Sequence, residues 1–312
     1  MTTLFNYLPG KSDPENPNNW LPLWMHSFDT AGIMTHIVND WLPDEIHYHI
    51  SAQITNGTTF EQLCRFLSLT HDIGKATPLF ACRICHSLPE IRDLLYKLGL
   101  LPPPEYKFPN GDASPHSIAG EAILRKYGVP NGIASIVGAH HGKPRSSNIN
   151  QPFSRELVTH FVNYYGNQGE DSEQGQLWKK IRSEWFELAL DRSGYGSAAM
   201  IPELDTASQF VLSGLLIMAD WIASNTAYFP LIPLSENGSE SDYDPERTER
   251  AWEKLNLPPP WESMRYYIDA HTFEGEFGFA PNSVQRSVID AISGSVDPGI
   301  CIIEAPMGCG KT

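Results

Sequence analysis

From residue 21 to about residue 224, apolar positions recur three and four apart and seldom alternate, which predicts a helical body with little sheet. The first helix covers about 23–41 and is stopped by Pro43. A second opens at Thr59, with Gln62 three residues on in capping-box spacing, and runs to Gly74. Ser114 followed by Pro115, a cap and then a first-turn proline, marks a third that closes at Gly128. A fourth runs from near Pro130 to Gly142. Residues 177–191 form an amphipathic helix, and residues 206–224 are apolar nearly all round, which predicts a central position. Residues 1–20, rich in Pro, Asn and Gly, read as an irregular lead-in.

The pattern breaks after residue 230. Residues 231–261 read as an acidic, proline-rich linker; the stretch 235–260 alone carries seven acidic residues against three basic, with four prolines. Residues 277–292 read as helical and 300–304 as a short apolar strand. That strand leads into Ala305-Pro306-Met307-Gly308-Cys309-Gly310-Lys311-Thr312, a phosphate-loop pattern with alanine at its first glycine.

Charge and cysteine usage narrow the classes. With 22 basic and 37 acidic side chains the net charge is -15, so the global field repels phosphate and excludes indiscriminate coating of nucleic acid. Action on a polyanion would need local positive charge, for which bound metal ions are one source. Five cysteines and an N-terminus with neither a basic nor an apolar leader segment predict a reducing, cytoplasmic setting. The most apolar stretch, 210–223, reads as too short for a bilayer and is interrupted by Asp220, so no membrane association is expected.

The histidines carry the chemistry. Of eleven, His26, His71, His116, His140 and His141 fall on apolar helices or at their ends, and Asp72 directly follows His71. Asp220 lies inside the most apolar helix, where an uncompensated carboxylate would cost several kcal/mol. Metal coordination would compensate it and keep the imidazoles neutral. Adjacent helical residues point about 100° apart, so a His-Asp pair can address two directions at once, as a bridging aspartate needs. His140 and His141, at a helix end before Gly142, can converge on one ion. Any one of these histidines alone reads first as a hydrogen-bonded core residue; the ordered set is what points to metal. His47, His49, His86, His160 and His271 fit no position in it and read as surface or packing residues.

In this order, His26-Ser27, His71-Asp72-Ile73-Gly74-Lys75, His116, His140-His141-Gly142 and Asp220-Trp221 resemble the HD superfamily of metal-dependent phosphohydrolases. The resemblance is closest to the HD nuclease domain of the helicase-nuclease of type I CRISPR systems, and it covers residues 20–225. It implies an all-α HD-domain helical fold over 21–230, followed by the linker and an incomplete RecA-like α/β segment over 262–312. It also implies a metal-dependent nuclease that cuts single-stranded DNA. One ion would be held by His26, His71, Asp72 and Asp220, the other by Asp72, His116, His140 and His141, with Asp72 bridging. Shells rich in imidazole suit iron, manganese, nickel or cobalt better than magnesium. Lys75, three residues after Asp72, would join it in catalysis by contacting a phosphate oxygen; it also reads as a helix C-terminal cation. Lys143, Arg145 and Ser224 are the other candidate substrate contacts, Ser224 reading equally as a plain helix-end serine. The implied partners are single-stranded DNA and an RNA-guided surveillance complex, with a phage-encoded inhibitor as a further candidate.

The loop at Gly308, Gly310, Lys311 and Thr312, with Gln285 resembling an adenine-recognition glutamine, is similar to the start of a superfamily 2 helicase lobe. ATP and magnesium would bind only in a longer parent, and no ATPase activity is expected from this chain. Cys82-Arg83-Ile84-Cys85-His86 has the spacing of a c-type haem attachment site, but it follows directly on the HD helix and reads as packing. Two rival readings remain: an HD phosphohydrolase of nucleotides or cyclic dinucleotides, and a non-cutting fragment that docks on the surveillance complex or an inhibitor.

Overall fold

The structure, a computed structural model, describes residues 3–103, 105–142, 155–258, 270–293 and 302–304. It divides into two compact units, residues 1–260 and 261–312. In the first, the described helices are α1 (Leu23–His36), α2 (Asp44–Ser51), α3 (Phe60–Thr70), α4 (Pro78–Ile84), α5 (Pro89–Lys97), α6 (His116–Lys126), α7 (Asn131–Gly138), α8 (Glu156–Thr159), α9 (Phe161–Tyr165), α10 (Glu173–Ser193), α11 (Thr206–Ala223) and α12 (Glu246–Leu255). The fold is thus helical, as the periodicity predicts.

At the centre α1 packs on α3 and α11, and α3 is backed by α10. Ile33, Met34, Leu63, Phe66, Leu67, Leu212 and Leu216 fill the space between them and are withdrawn from water. The α3 start is a capping box: Thr59 Oγ1 accepts from the Gln62 backbone N–H and Gln62 Oε1 accepts from that of Thr59. Helix α6 starts differently from expectation. Pro115 is its N-cap, while Ser114 Oγ donates instead to Glu156 Oε1 at 2.9 Å. Helix α7 stops at Gly138, so His140 and His141 lie in the turn that follows and Gly142 takes a φ of 86°.

Helix α11, 18 residues long, is long and apolar enough to cross a membrane by length and composition, contrary to the estimate from residues 210–223 alone. In this fold it is a core helix that buries Leu212, Leu215, Leu216, Ala219 and Ala223. It is not enclosed all round, since Phe210 and Trp221 remain exposed.

Two segments depart from their predicted irregularity. Within 1–20, Leu4–Tyr7 form a 3₁₀ turn, and β1 (Pro9–Ser12) pairs antiparallel with β2 (Asn19–Pro22). β2 in turn pairs with β3 (Ile232–Pro233), so Trp20 lies opposite Ile232. The physical reason is burial: Phe5, Leu8 and Trp20 are sealed in the core, an apolar gain that outweighs the Pro/Gly content. Within 231–261, α12 docks on α1. Arg247 Nε donates to both carboxylate oxygens of buried Asp29, at 3.0 and 3.1 Å, and the Tyr243 hydroxyl donates to Oδ1 at 2.9 Å. A Cβ at Gly32 would come within 2.5 Å of Thr248, so this approach requires glycine. Burial pushes the Asp29 carboxyl up to about 6, against the opposing pull of Arg247 and Tyr243.

In the second unit the described helices are α13 (Ala270–Phe277) and α14 (Ser283–Ile292), and the rings of Phe273, Phe277 and Phe279 cluster. Helix α14 begins after Asn282, not at 277. Gln285 completes its capping box by accepting from the Asn282 backbone N–H at 3.0 Å. Of the expected strand, the described residues Ile302, Ile303 and Glu304 are exposed and form no ladder, because no strand lies beside them among the described residues. Gly308, Gly310, Lys311 and Thr312 lie outside the described residues, as do Lys143 and Arg145.

Candidate metal centre

Five elements deliver the predicted residues to one place. His26 comes from the first turn of α1, His71 and Asp72 from the end of α3, and His116 is the first residue of α6. His140 and His141 come from the turn after α7, and Asp220 from the last turn of α11. The α3 helix ends at Thr70, and the chain tightens into a 3₁₀ turn at Ile73–Lys75 that Asp72 caps at its N-terminal end. Gly74 allows α6 to close on this turn, because a Cβ there would meet the His116 carbonyl oxygen at 1.8 Å.

Two groups result. His26, His71 and Asp72 bring ligand atoms within 4.8 Å of one another, and so do His116, His140 and His141. Asp220 joins the first group: its Oδ1 is 3.1 Å from His26 Nε2 and 3.6 Å from His71 Nε2. Asp72 lies between the groups. Its Oδ2 is 3.3 Å from the Nε2 atoms of His26 and His71. Its Oδ1 faces the other way, 3.5 Å from His116 Nε2 and 3.7 Å from His140 Nε2. Each oxygen of one carboxylate therefore serves a different imidazole group.

Ring orientation is fixed from behind. His71 Nδ1 lies 2.7 Å from the Ser68 carbonyl oxygen and His140 Nδ1 lies 2.6 Å from that of Val137. A carbonyl only accepts, so Nδ1 carries the proton in both, and Nε2 presents its lone pair to the centre when the ring is neutral. His116 Nε2 and His141 Nε2 approach to 2.7 Å, a pairing of like ring nitrogens that a shared cation would satisfy.

The donor set fits a metal on two counts. His140 Nε2 and Asp72 Oδ1 are buried without a hydrogen-bond partner among the described residues, an arrangement costly in a closed protein interior. The charge states also favour a cation. Burial, helped by Lys75, pulls His116 down to about 3 despite Asp72, and burial pulls His140 down to about 4, so both rings are neutral ligands at neutral pH. Burial acts to lower His71, but the charges of Asp72 and Asp220 drive it up to about 10, so positive charge is already favoured there. Burial opposes ionisation of Asp72 and Asp220, yet both carboxyls lie far below the usual range: Lys75 and His71 dominate at Asp72, and hydrogen bonds from His26 and His71 at Asp220.

The candidate substrate contacts take less simple places. Lys75 Nζ is 2.7 Å from Asp72 Oδ2 and donates to the Gly10 carbonyl at 3.3 Å, so its ammonium already leans on a candidate ligand. Ser224 Oγ donates to Asp220 Oδ1 at 3.2 Å, steadying that carboxylate. A residue missed by sequence reasoning is Lys11 of β1. Its half-buried ammonium donates to the Ser224 carbonyl and is in electrostatic reach of Lys75, Asp220 and Asp72. No sequence signal marks it, because only the fold-back of β1 brings it to the centre. Cys85 is fully buried and burial pushes the Cys82 and Cys85 thiols up to about 11 and about 12, in keeping with packing roles.

The family profile described as "Cas3, HD domain" matches residues 10–229. The chain is 34% identical over 323 residues to the CRISPR-associated nuclease/helicase Cas3 of Streptococcus thermophilus, covering 100% of this chain and 34% of that protein. It is 26% identical to the CRISPR-associated endonuclease/helicase Cas3 of Thermus thermophilus, covering 95% of this chain and 30% of that one. The chain thus spans about a third of the length of these curated relatives. Among solved structures, T. fusca Cas3 matches with a TM-score of 0.55 at 20% identity, over 94% of this chain and 30% of that one. The Thermus thermophilus cas3 HD domain, crystallised in the presence of Ni2+, matches with a TM-score of 0.50 at 20% identity, over 81% of this chain and 91% of that one. At such identities the structures speak for the fold alone, whereas the profile covers most of the sequence with the histidine and aspartate positions inside it. The chain belongs to the Cas3 HD-domain family.

Proposed function

We propose that this chain is the nuclease part of a type I CRISPR nuclease-helicase and hydrolyses phosphodiester bonds of single-stranded DNA with two divalent transition-metal ions. The observation that carries this reading is the position of Asp72, whose two oxygens face two separate imidazole groups while Oδ1 has no hydrogen-bond partner among the described residues. His26, His71, Asp72 and Asp220 would hold one ion, and Asp72, His116, His140 and His141 the other. Iron, manganese, nickel or cobalt suit such shells. Two bound ions supply a nucleophile at neutral pH and neutralise charge building on the phosphate.

The chain's own residues prepare that chemistry. The Ser68 and Val137 carbonyls hold the His71 and His140 rings with Nε2 inward. Ser224 holds Asp220. Lys75 and Lys11 bring two ammonium groups beside the carboxylates, where they would hold non-bridging oxygens of the scissile phosphate. The half-buried His116 and the exposed His141 mark the side from which a strand would enter. In a chain of net charge -15 this local cluster of cations and metal, not the global field, would attract the backbone. Lys143 and Arg145 belong to the same proposal as strand contacts.

An R-loop presents a displaced single strand, which suits a nuclease recruited by an RNA-guided surveillance complex and fed by a helicase. Gln285 and the loop Gly308 to Thr312 would serve ATP and magnesium.

The test is incubation of circular single-stranded DNA with the chain, metal-free and then with manganese, nickel, cobalt or ferrous iron, beside Asp72→Ala. Metal-dependent cutting of the circle that disappears in the variant supports an endonuclease at this centre. Bound metal without cutting would overturn the reading in favour of a small phosphate substrate.

A further inference from the structure

Away from the metal centre, four cationic side chains converge on one cavity in this acidic protein. The cavity, about 300 Å³, lies between α6 and α10 and is lined by Lys126, Tyr127, Tyr165, Lys179, Lys180 and Arg182, among others. Arg182 is the unusual member. Its side chain is 2% exposed, and its Nη1 donates to the carbonyls of Ala76 and Tyr164 at 3.1 and 2.8 Å. Its guanidinium lies over the Tyr165 ring, 5.0 Å from the centroid. No carboxylate lies within ion-pair distance of it among the described residues; its direct contacts are carbonyls and a ring, and Glu170 acts on it only from farther away. Burying an ion without an adjacent counter-charge is costly, and carbonyls and a ring offset that only in part.

The neighbouring acids are already engaged. Glu170 is shared by Lys126, at 2.8 Å, and Lys179, at 3.3 Å. Glu184 is 3.8 Å from Lys180. Glu170 and Glu184 face four cations, and Glu187 reaches only the Ser183 hydroxyl, at 3.1 Å, among the described residues, so the cavity keeps an excess of positive charge. A dianionic phosphate matches this excess, because its oxygens suit guanidinium and ammonium donors.

We propose that this cavity is a binding site for a small phosphate-bearing ligand, distinct from the metal centre. The inference goes beyond the nuclease reading and does not rest on it. Arg182 also holds the carbonyl of Ala76, the residue after Lys75, so the site lies against the segment that leaves the metal-centre loop.

The test is calorimetric titration of the metal-free full chain with inorganic phosphate and, separately, with a nucleoside 5′-monophosphate. Working metal-free removes phosphate capture by ions at Asp72. The variant pair Lys179→Gln with Lys180→Gln changes partly exposed side chains and leaves the fold intact, as its unchanged ligand-free melting temperature would verify. One-to-one binding that weakens at least about tenfold in this pair is the expected result. Tighter binding of the nucleotide than of inorganic phosphate identifies an organic phosphate as the ligand, whereas equal affinities identify inorganic phosphate. Absence of binding for both ligands overturns the proposal, as does binding untouched by the lysine changes or lost instead in Asp72→Ala.

Discussion

Lys11 stands where its sequence neighbours give no hint of chemistry, on the strand edge beside Ser224 and within reach of Asp72 and Asp220. In the proposed reaction it is a positioning residue for the phosphate, so Lys11→Gln should lower kcat on single-stranded DNA by about tenfold or more. Metal content by elemental analysis should stay unchanged, and Lys11→Arg should recover part of the rate. An unchanged kcat in Lys11→Gln would remove the residue from the reaction. Legibility at this scale divides sharply. The metal-ligand candidates stand out in sequence because polar, ligating side chains on apolar helices carry a cost that demands an explanation. Lys11 does not stand out, because a lysine between Gly10 and Ser12 is solvated by default and only a long-range contact changes that.

Helix placement depends on contacts between elements that single residues control. Gly74 lets the 3₁₀ turn after α3 meet the first residue of α6, so Gly74→Ala should force α6 outward. We expect a loss of about 1–3 kcal/mol, the usual cost of overpacking, read as a lower melting temperature. Metal titration should show weakened binding at the His116, His140 and His141 group, with the His26 group less affected. The α1–α12 contact makes a pH prediction. The Asp29 carboxyl is raised to about 6 in the folded protein, so the folded state binds its proton more tightly than the unfolded chain. Its stabilising contribution is therefore full below the unfolded pKa and lost as pH rises through the folded value. Between about pH 4 and about pH 7 the stability of the wild type relative to Asp29→Asn should fall by roughly 2–3 kcal/mol in denaturant titrations. A difference independent of pH would show that Arg247 keeps Asp29 ionised throughout. The helix starts at Thr59 and Asn282 are local capping boxes, the former visible in sequence. Docking of α12 is not local, and its acidic, proline-containing surroundings hide it from a compositional reading.

Taken whole, the first unit is tied together by its chain ends as much as by its helices. β2 joins β1 to β3, and Phe5, Leu8 and Trp20 reach the core from a segment of low apparent order. Each such side chain contributes roughly 1.5–3 kcal/mol, so the three together approach the net stability of an ordinary domain. A chain beginning at residue 21 should melt on the order of 10 °C lower, and it should also lose the Gly10 carbonyl that holds Lys75. Circular dichroism melts would check this, and an unchanged transition would make the N-terminal segment an ornament of the fold.

Readable from the linear chain alone are the helical class, the α3 capping box, the order of the histidines and aspartates, and the net charge that confines attraction for phosphate to local clusters. Those properties depend on periodicity and on neighbours within a few residues, which the linear chain carries in full. Only the fold sets which oxygen of Asp72 faces which imidazoles, that Lys11 joins the centre, that 1–20 and 231–258 close onto the body, and that Arg182 is buried with no carboxylate at ion-pair distance among the described residues. Each of these depends on contacts between residues far apart in the chain, whose energies arise from burial and from charge in a dry interior and leave no periodic trace in sequence.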